Sequence, residues 1–486
     1  MLRAPYRHAF AAFLVLALTT ACFPFQASRG GGQTDFEGPR VVDPADVAVV
    51  AGFTVEVVAE GLTFPTGVAF GDDGRAYVTE SGYAYGEVFT TPRLVRIERD
   101  GSHTVVAEGD NPPWNGVDAW QGDLFVAEGG VLEGGRILRI TPGGSVSVLA
   151  EGLPSQGDHH TNGPVVRDGF VYVGQGVVTN SAVVGLDSYG FGWLPRFPDL
   201  HDVPCEDVVL VGDSFETPDP LTDGDTTVRT GAFLPFGVAA EPQQVVRGSV
   251  PCSGAIMRVP VEGGELELVA WGFRNPFGLA FGPDDELYVT DNMYDDRGSR
   301  PVFGAGDLLW RVVPGWWYGW PDFHGDRPLE GADHYRPPRR PAPGFVLATH
   351  PNEPLQPAAV LAVHSSSNGF DFSRHAGFGF EGDAFVAQFG DMAPGVGKVL
   401  APPGFRVVRV DVGTGVVQDF LVNRDGSGPA SLHGSAGLER PVAARFDPEG
   451  TALYVVDFGV MLVTDEAPVP IPGTGVLWRV VRSEAP

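Results

Sequence analysis

The chain has 486 residues with 67 glycines and 43 prolines, and past its first residues no long apolar stretch has a helical period. That composition favours one large all-β domain over several ordinary ones, with core enough to need no metal or disulfide staple. A formal net charge of −29 argues against nucleic acid or an anionic membrane surface as a partner, and the lack of a Cys-x-x-Cys-His segment excludes covalently attached haem.

Residues 1–22 have the pattern of an export signal: Arg3 and Arg7, an apolar run over 9–18, then Thr19-Thr20-Ala21-Cys22. The run is too short to persist as a membrane-spanning helix. Small residues before Cys22 resemble a bacterial lipoprotein cleavage site. Lipid on Cys22 would hold an exported protein in the periplasm or at the cell surface, and plain secretion is the alternative. Residues 23–44 read as a flexible tether, and 45–486 as the folded domain.

Six segments of that domain repeat one pattern, an aromatic-Val pair with an acid or amide three residues after the aromatic. They are Tyr77-Val-Thr-Glu80, Phe125-Val-Ala-Glu128, Tyr172-Val-Gly-Gln175, Tyr288-Val-Thr-Asp291, Phe385-Val-Ala-Gln388 and Tyr454-Val-Val-Asp457. Strand-turn-strand units recurring every ~40–50 residues mark a β-propeller. Six copies predict an all-β, six-bladed β-propeller with the aromatic-Val strand innermost or next to the channel. Residues 50–70 would supply the first blade. The longer later gaps place insertions at about 186–250 and 291–345, on loops between blades. Cys205 and Cys252 each follow Val-Pro and remain as a pair if Cys22 is lipidated, so a disulfide between them is expected.

Three loops carry residues suited to chemistry. In Asp158-His159-His160-Thr161-Asn162-Gly163, a histidine beside a carboxylate is a candidate general base; a surface loop with two solvated histidines is the plain alternative. In Arg274-Asn275-Pro276-Phe277-Gly278, charge and directed donors suit an anionic or carbonyl ligand, unless the guanidinium merely stacks on a ring. Asn292, Asp295 and Asp296, with Asp307 beyond, are hard oxygen donors suited to Ca²⁺, and a solvated acidic turn reads equally well. Trp316-Trp317-Tyr318-Gly319-Trp320 offers stacking surface or packing between blades.

Taken in order, GDHHTNG before VYVGQG, AWGFRNPFGLAFGP, WYGWPDF and GLERPVAARFDPEG resemble the soluble quinoprotein sugar dehydrogenases. This is the glucose/sorbosone dehydrogenase family of six-bladed propellers that hold pyrroloquinoline quinone (PQQ), and the resemblance covers most of residues 50–480. It implies oxidation of a hydroxyl on a sugar or related alcohol by hydride transfer to PQQ with Ca²⁺, and an external electron acceptor. It places the catalytic base on His159, with His160 one position away and Asp158 and Arg274 beside it. PQQ contacts would fall on Arg274, Asn275 and Arg440. The chain departs from the family at Asn292-Met293-Tyr294, where a Gln-Gly-Pro turn is expected to give calcium its backbone oxygens. It departs again after Gln388-Phe389-Gly390-Asp391, where the cofactor lysine is expected; the sequence's one lysine, Lys398, follows in a longer loop.

Two other functions share this architecture. A metal-dependent lactonase-type propeller needs channel-lining carboxylates, which Glu80, Glu128, Asp291 and Asp457 could supply. A non-catalytic propeller would bind extracellular ligands.

Overall fold

A computed structural model gives the fold, and it describes residues 31, 33, 35–222, 226–392, 402–426, 428–464 and 467–483. Cys22 with the export signal, and Lys398, lie outside the described residues.

The described residues form six antiparallel blades. Their inner strands are Pro65–Phe70, Trp114–Trp120, Thr161–Arg167, Pro276–Phe281, Ser367–Phe372 and Pro441–Phe446. Each lies against the inner strands of both neighbouring blades, which closes a ring around the channel. The ring is tight enough to require glycine. A Cβ on Gly116 would overlap the Gly163 carbonyl of the next blade, and one on Gly278 would overlap the Asn368 carbonyl.

The six aromatic-Val segments form the second strand of every blade: Ala76–Glu80, Asp123–Glu128, Phe170–Gln175, Leu287–Asp291, Ala384–Gln388 and Ala452–Asp457. Successive side chains of a strand point to opposite faces, and both faces of a blade are covered by neighbours. Tyr77 and Val78 accordingly enter two different hydrophobic clusters, as do Phe125 and Val126. One dipeptide therefore seals two blade interfaces, which is why it recurs in each blade.

The conserved spacing of the acid or amide also has a structural cause. Asp291 accepts the backbone N–H groups of Arg274 (3.1 Å) and Asn275 (2.7 Å). Asp457 does the same for Glu439 (2.9 Å) and Arg440 (2.8 Å). Glu80 takes the N–H of Thr63 (2.6 Å), and Glu128 the indole N–H of Trp114 (3.0 Å). These carboxylates hold the chain as it turns into, or runs beside, an inner strand.

Three chain-order expectations are corrected. Phe53–Leu62 does not begin the first blade. It pairs with Gly475–Arg482 as the outer strand of the sixth, because a ring built from one chain closes by joining its two ends. The insertions lie within blades rather than between them. Residues 186–250 separate the second strand of the third blade from its third, Ala255–Pro260; much of 291–345 separates the same strands of the fourth, whose third is Gly306–Arg311. That connection leaves the sheet at its end, where extra residues disturb no interface. Finally, the described part of the 23–44 segment is anchored. Arg40 donates to Asp457 (2.6 Å), Gly437 O (2.8 Å) and Thr474 O (2.6 Å).

Cys205 and Cys252 are bonded, 47 residues apart in sequence, and so staple the base of the first insertion. Closing a loop of this length removes unfolded-state entropy worth about 4 kcal/mol in the chain-entropy model. A Cys205→Ser/Cys252→Ser variant is expected to unfold at lower denaturant, and reductant should shift the parent's midpoint but not the variant's.

Candidate active site

The channel opens at one end into a cavity, bounded by the segments that lead into the inner strands and by those that leave the second strands. Of the sequence-predicted residues, His159, Arg274, Asn275, Asn292, Asp295 and Asp307 line it. Aromatic and thioether walls come from Tyr83, Tyr85, Phe277, Phe389, Met392 and Met461. The cavity holds about 190 Å³, below the roughly 300–1,000 Å³ of sites that enclose a drug-sized ligand, and it is open on one side.

His159 is buried, with Nδ1 3.0 Å from the Val177 carbonyl. A carbonyl only accepts, so Nδ1 carries the hydrogen and Nε2 keeps the lone pair. Burial, then the nearby Arg274 and Arg297 charges, hold its pKa well below the ordinary histidine value. The ring is a neutral base at pH 7. Its neighbour His160 also lines the cavity, with burial lowering its pKa to about 3.

Arg274 is clamped by four hydrogen bonds. Nε and one Nη bond the backbone and side-chain oxygens of Asn180 (both 3.1 Å), and others reach Asn292 O (3.1 Å) and Asp295 Oδ2 (3.0 Å). A guanidinium has five N–H groups, which leaves one donor without a partner among the described residues. Asn275 accepts from Asn162 Nδ2 (3.0 Å) and donates to Asn292 Oδ1 (3.0 Å).

Two residues absent from the sequence-based site tie it together. Arg297 bonds Asp158 (2.6 Å), Asp187 (2.7 Å) and Asp295 (2.9 Å), linking the histidine loop, the first insertion and the Arg274 partner. His364 stands on the cavity wall between Asp295 (3.1 Å) and Asp391 (3.3 Å). Burial lowers its pKa, but the two carboxylates outweigh this and lift it to about 10. Burial also raises the Asp295 carboxyl, and Arg274, Arg297 and His364 together hold it well below the usual range.

Other expected residues sit elsewhere. Asp158 is off the cavity wall, its carboxylate held by Arg297 and its carbonyl accepting from Tyr85 Oη (2.9 Å). Arg440 lies behind the wall between the Phe389 and Phe405 rings, donating to the Gly390 (3.3 Å) and Asp391 (3.2 Å) carbonyls. Burial lowers its pKa to about 10. It holds the loop that carries Phe389 and Asp391 rather than facing the cavity. Asp296 is half-buried and outside the lining, with Arg340 as counter-charge. Trp317 and Trp320 pack in the hydrophobic core.

PQQ is a flat quinone with three carboxylates. The aromatic wall offers faces for its rings, while Arg274, His364 and the amides of Asn162 and Asn275 offer charge and donors at the same wall. These residues fit the group. Among the described residues no three His, Cys, Asp or Glu side chains gather as a metal site. The lactonase alternative loses its ligands too. Glu80, Glu128, Asp291 and Asp457 are buried, hydrogen-bonded to the chain's own donors and absent from the lining.

No protein-family model and no curated protein matches the chain. Solved structures do. The holo PQQ domain of pyranose dehydrogenase from Coprinopsis cinerea is 15% identical, with a TM-score of 0.55 over 92% of this chain and 98% of that one. The calcium structure of a carbohydrate-active enzyme of family AA12 from Trichoderma reesei is 15% identical, with a TM-score of 0.53 over 92% and 99%. The PQQ-bound aldose sugar dehydrogenase of Streptomyces coelicolor is 16% identical, with a TM-score of 0.50 over 89% and 99%. At such identities the likeness establishes a common propeller fold.

Proposed function

We propose that this protein is an exported quinoprotein oxidoreductase that oxidises a hydroxyl group of a sugar or related alcohol. The observation that carries the reading is His159, a buried neutral imidazole of defined tautomer that shares a cavity wall with Arg274 and Asn275. Likeness of fold to PQQ-bound sugar dehydrogenases supports it.

In this reading the substrate hydroxyl donates to His159 Nε2, which takes the proton as the carbonyl forms. The imidazolium that results is favoured by the Val177 carbonyl at Nδ1 and then by the Asp295 carboxylate, which act against burial and the Arg274 and Arg297 charges. Arg274 presents its remaining N–H to the ligand and is kept from rotating by Asn180, Asn292 and Asp295. Bound PQQ would supply acceptance of the carbinol hydrogen as hydride, so that one proton and two electrons with the second hydrogen leave the substrate. Arg274, Asn275 and His364 would hold it, and an external acceptor would remove the electrons. The Cys205–Cys252 bond is consistent with an oxidising compartment.

Purified protein incubated with PQQ is expected to retain quinone absorbance after desalting and to reduce a dye when sugars are added. No retained quinone and no sugar-dependent dye reduction would remove the redox reading.

A further inference from the structure

Of the four residues that the sequence groups as ligands of a divalent cation, the three on the cavity wall, Asn292, Asp295 and Asp307, are already occupied by the chain's own donors. Asn292 accepts from Arg274 at its carbonyl (3.1 Å) and from Asn275 at Oδ1 (3.0 Å). Asp295 Oδ2 takes Arg274 (3.0 Å) and Arg297 (2.9 Å), and Oδ1 lies 3.1 Å from His364 Nε2. Asp307 accepts Met293 N (3.3 Å), Ser365 Oγ (3.0 Å) and Ser367 N (2.8 Å).

Beside this wall three carboxylates, Asp158, Asp187 and Asp295, converge on a single group, and that group is the Arg297 guanidinium. Carboxylates gathered from separate segments are what a calcium ion ordinarily joins, with six to eight oxygens at about 2.3–2.6 Å. Here the joining charge belongs to the protein. Guanidinium does not lose its proton in proteins, and its planar fork matches carboxylate geometry. A divalent ion brought to Asp295 would face two guanidinium groups already hydrogen-bonded to the same oxygen.

We propose that Arg297, with Arg274, takes the structural place of a divalent cation beside the cavity, so that this propeller assembles its site without calcium. The inference rests on cavity geometry and not on the redox reading, and its readouts are taken on protein without cofactor or substrate.

Calcium content after dialysis and melting temperature in excess EDTA or excess CaCl₂ are the first test. The expected result is calcium far below one equivalent per chain and the same melting temperature in both buffers. One equivalent retained, or a melting temperature that falls by several degrees in EDTA and recovers with CaCl₂, would overturn the proposal. The second test is Arg297→Gln, which removes the positive charge and leaves three carboxylates together. Its melting temperature is expected to rise by several degrees on adding CaCl₂ while the parent does not respond. A folded Arg297→Gln that ignores CaCl₂ would count against Arg297 as the stand-in, and the parent's calcium measurement decides the proposal if that variant does not fold.

Discussion

Replacing His159 with alanine is expected to lower kcat/KM for sugar oxidation by about 10²–10⁴-fold, the usual contribution of a positioned general base, while PQQ retention and far-UV dichroism stay at parental levels. Among the described residues the side chain makes one hydrogen bond, to the Val177 carbonyl, so its loss frees only one backbone acceptor there. The same change at His160 should cost far less, because that ring packs on Tyr83 and Tyr85 and its buried Nε2 has no partner among the described residues. Equal losses at both positions would move the base to His160 or remove it from the pair.

The pH profile adds a second constraint. An exposed histidine base gives an acid limb near its ordinary pKa of about 6.5. Burial and two neighbouring guanidinium groups hold His159 well below that value, so kcat/KM should stay flat through pH 6.5 and fall only at distinctly lower pH. A limb centred at 6.5 would mean that the catalytic group is more exposed than His159 is.

How far this site can be read from sequence depends on which physical pattern repeats. The blades were legible because an aromatic and a valine must fill two interfaces in each of six sheets, and that demand recurs in every copy. The loops around His159 and Arg274 were legible through resemblance, and the structure brings His159, Arg274 and Asn275 to one cavity. The acid closing each repeat was misleading. Its spacing suggests a ring of channel carboxylates, whereas backbone N–H groups near the inner strands absorb it, as at Asp291 and Asp457.

A signal for the cavity wall was present and unread. Asn115-Gly116, Asn162-Gly163 and Asn368-Gly369 recur where inner strands begin, with Asn275 just before a fourth, and all four asparagines line the cavity. His364 stands four residues before Asn368, where Asp158 stands before Asn162, so the recurring pairs mark its segment but not its side chain. Arg297 had no such marker. Its partners Asp158 and Asp187 are 139 and 110 residues away in sequence, and only closure of the ring brings them to it.

Arg297→Ala is expected to destabilise the protein by about 3–5 kcal/mol at neutral pH, the cost of removing one partner from a buried ion pair, read as a shift in denaturation midpoint with an unchanged slope. Three buried or nearly buried carboxylates converge on this guanidinium, so its loss strands charge in a poorly solvated site instead of exposing it to water. The sign of the pH dependence follows from Asp158. Burial already raises its pKa, and Arg297 is the largest influence pulling it back. Without Arg297 the folded pKa rises further above the unfolded carboxyl value, so the folded variant binds a proton that the unfolded chain has released. Stability of that kind is present below the unfolded pKa and is lost as pH rises through the folded one. The difference between parent and variant should therefore shrink as pH is lowered from 7 toward 4, where protonation relieves the stranded carboxylates. A difference that stays constant over this range, or grows on acidification, would mean that Arg297 stabilises the loops by packing against Phe191 and not by joining the three acids.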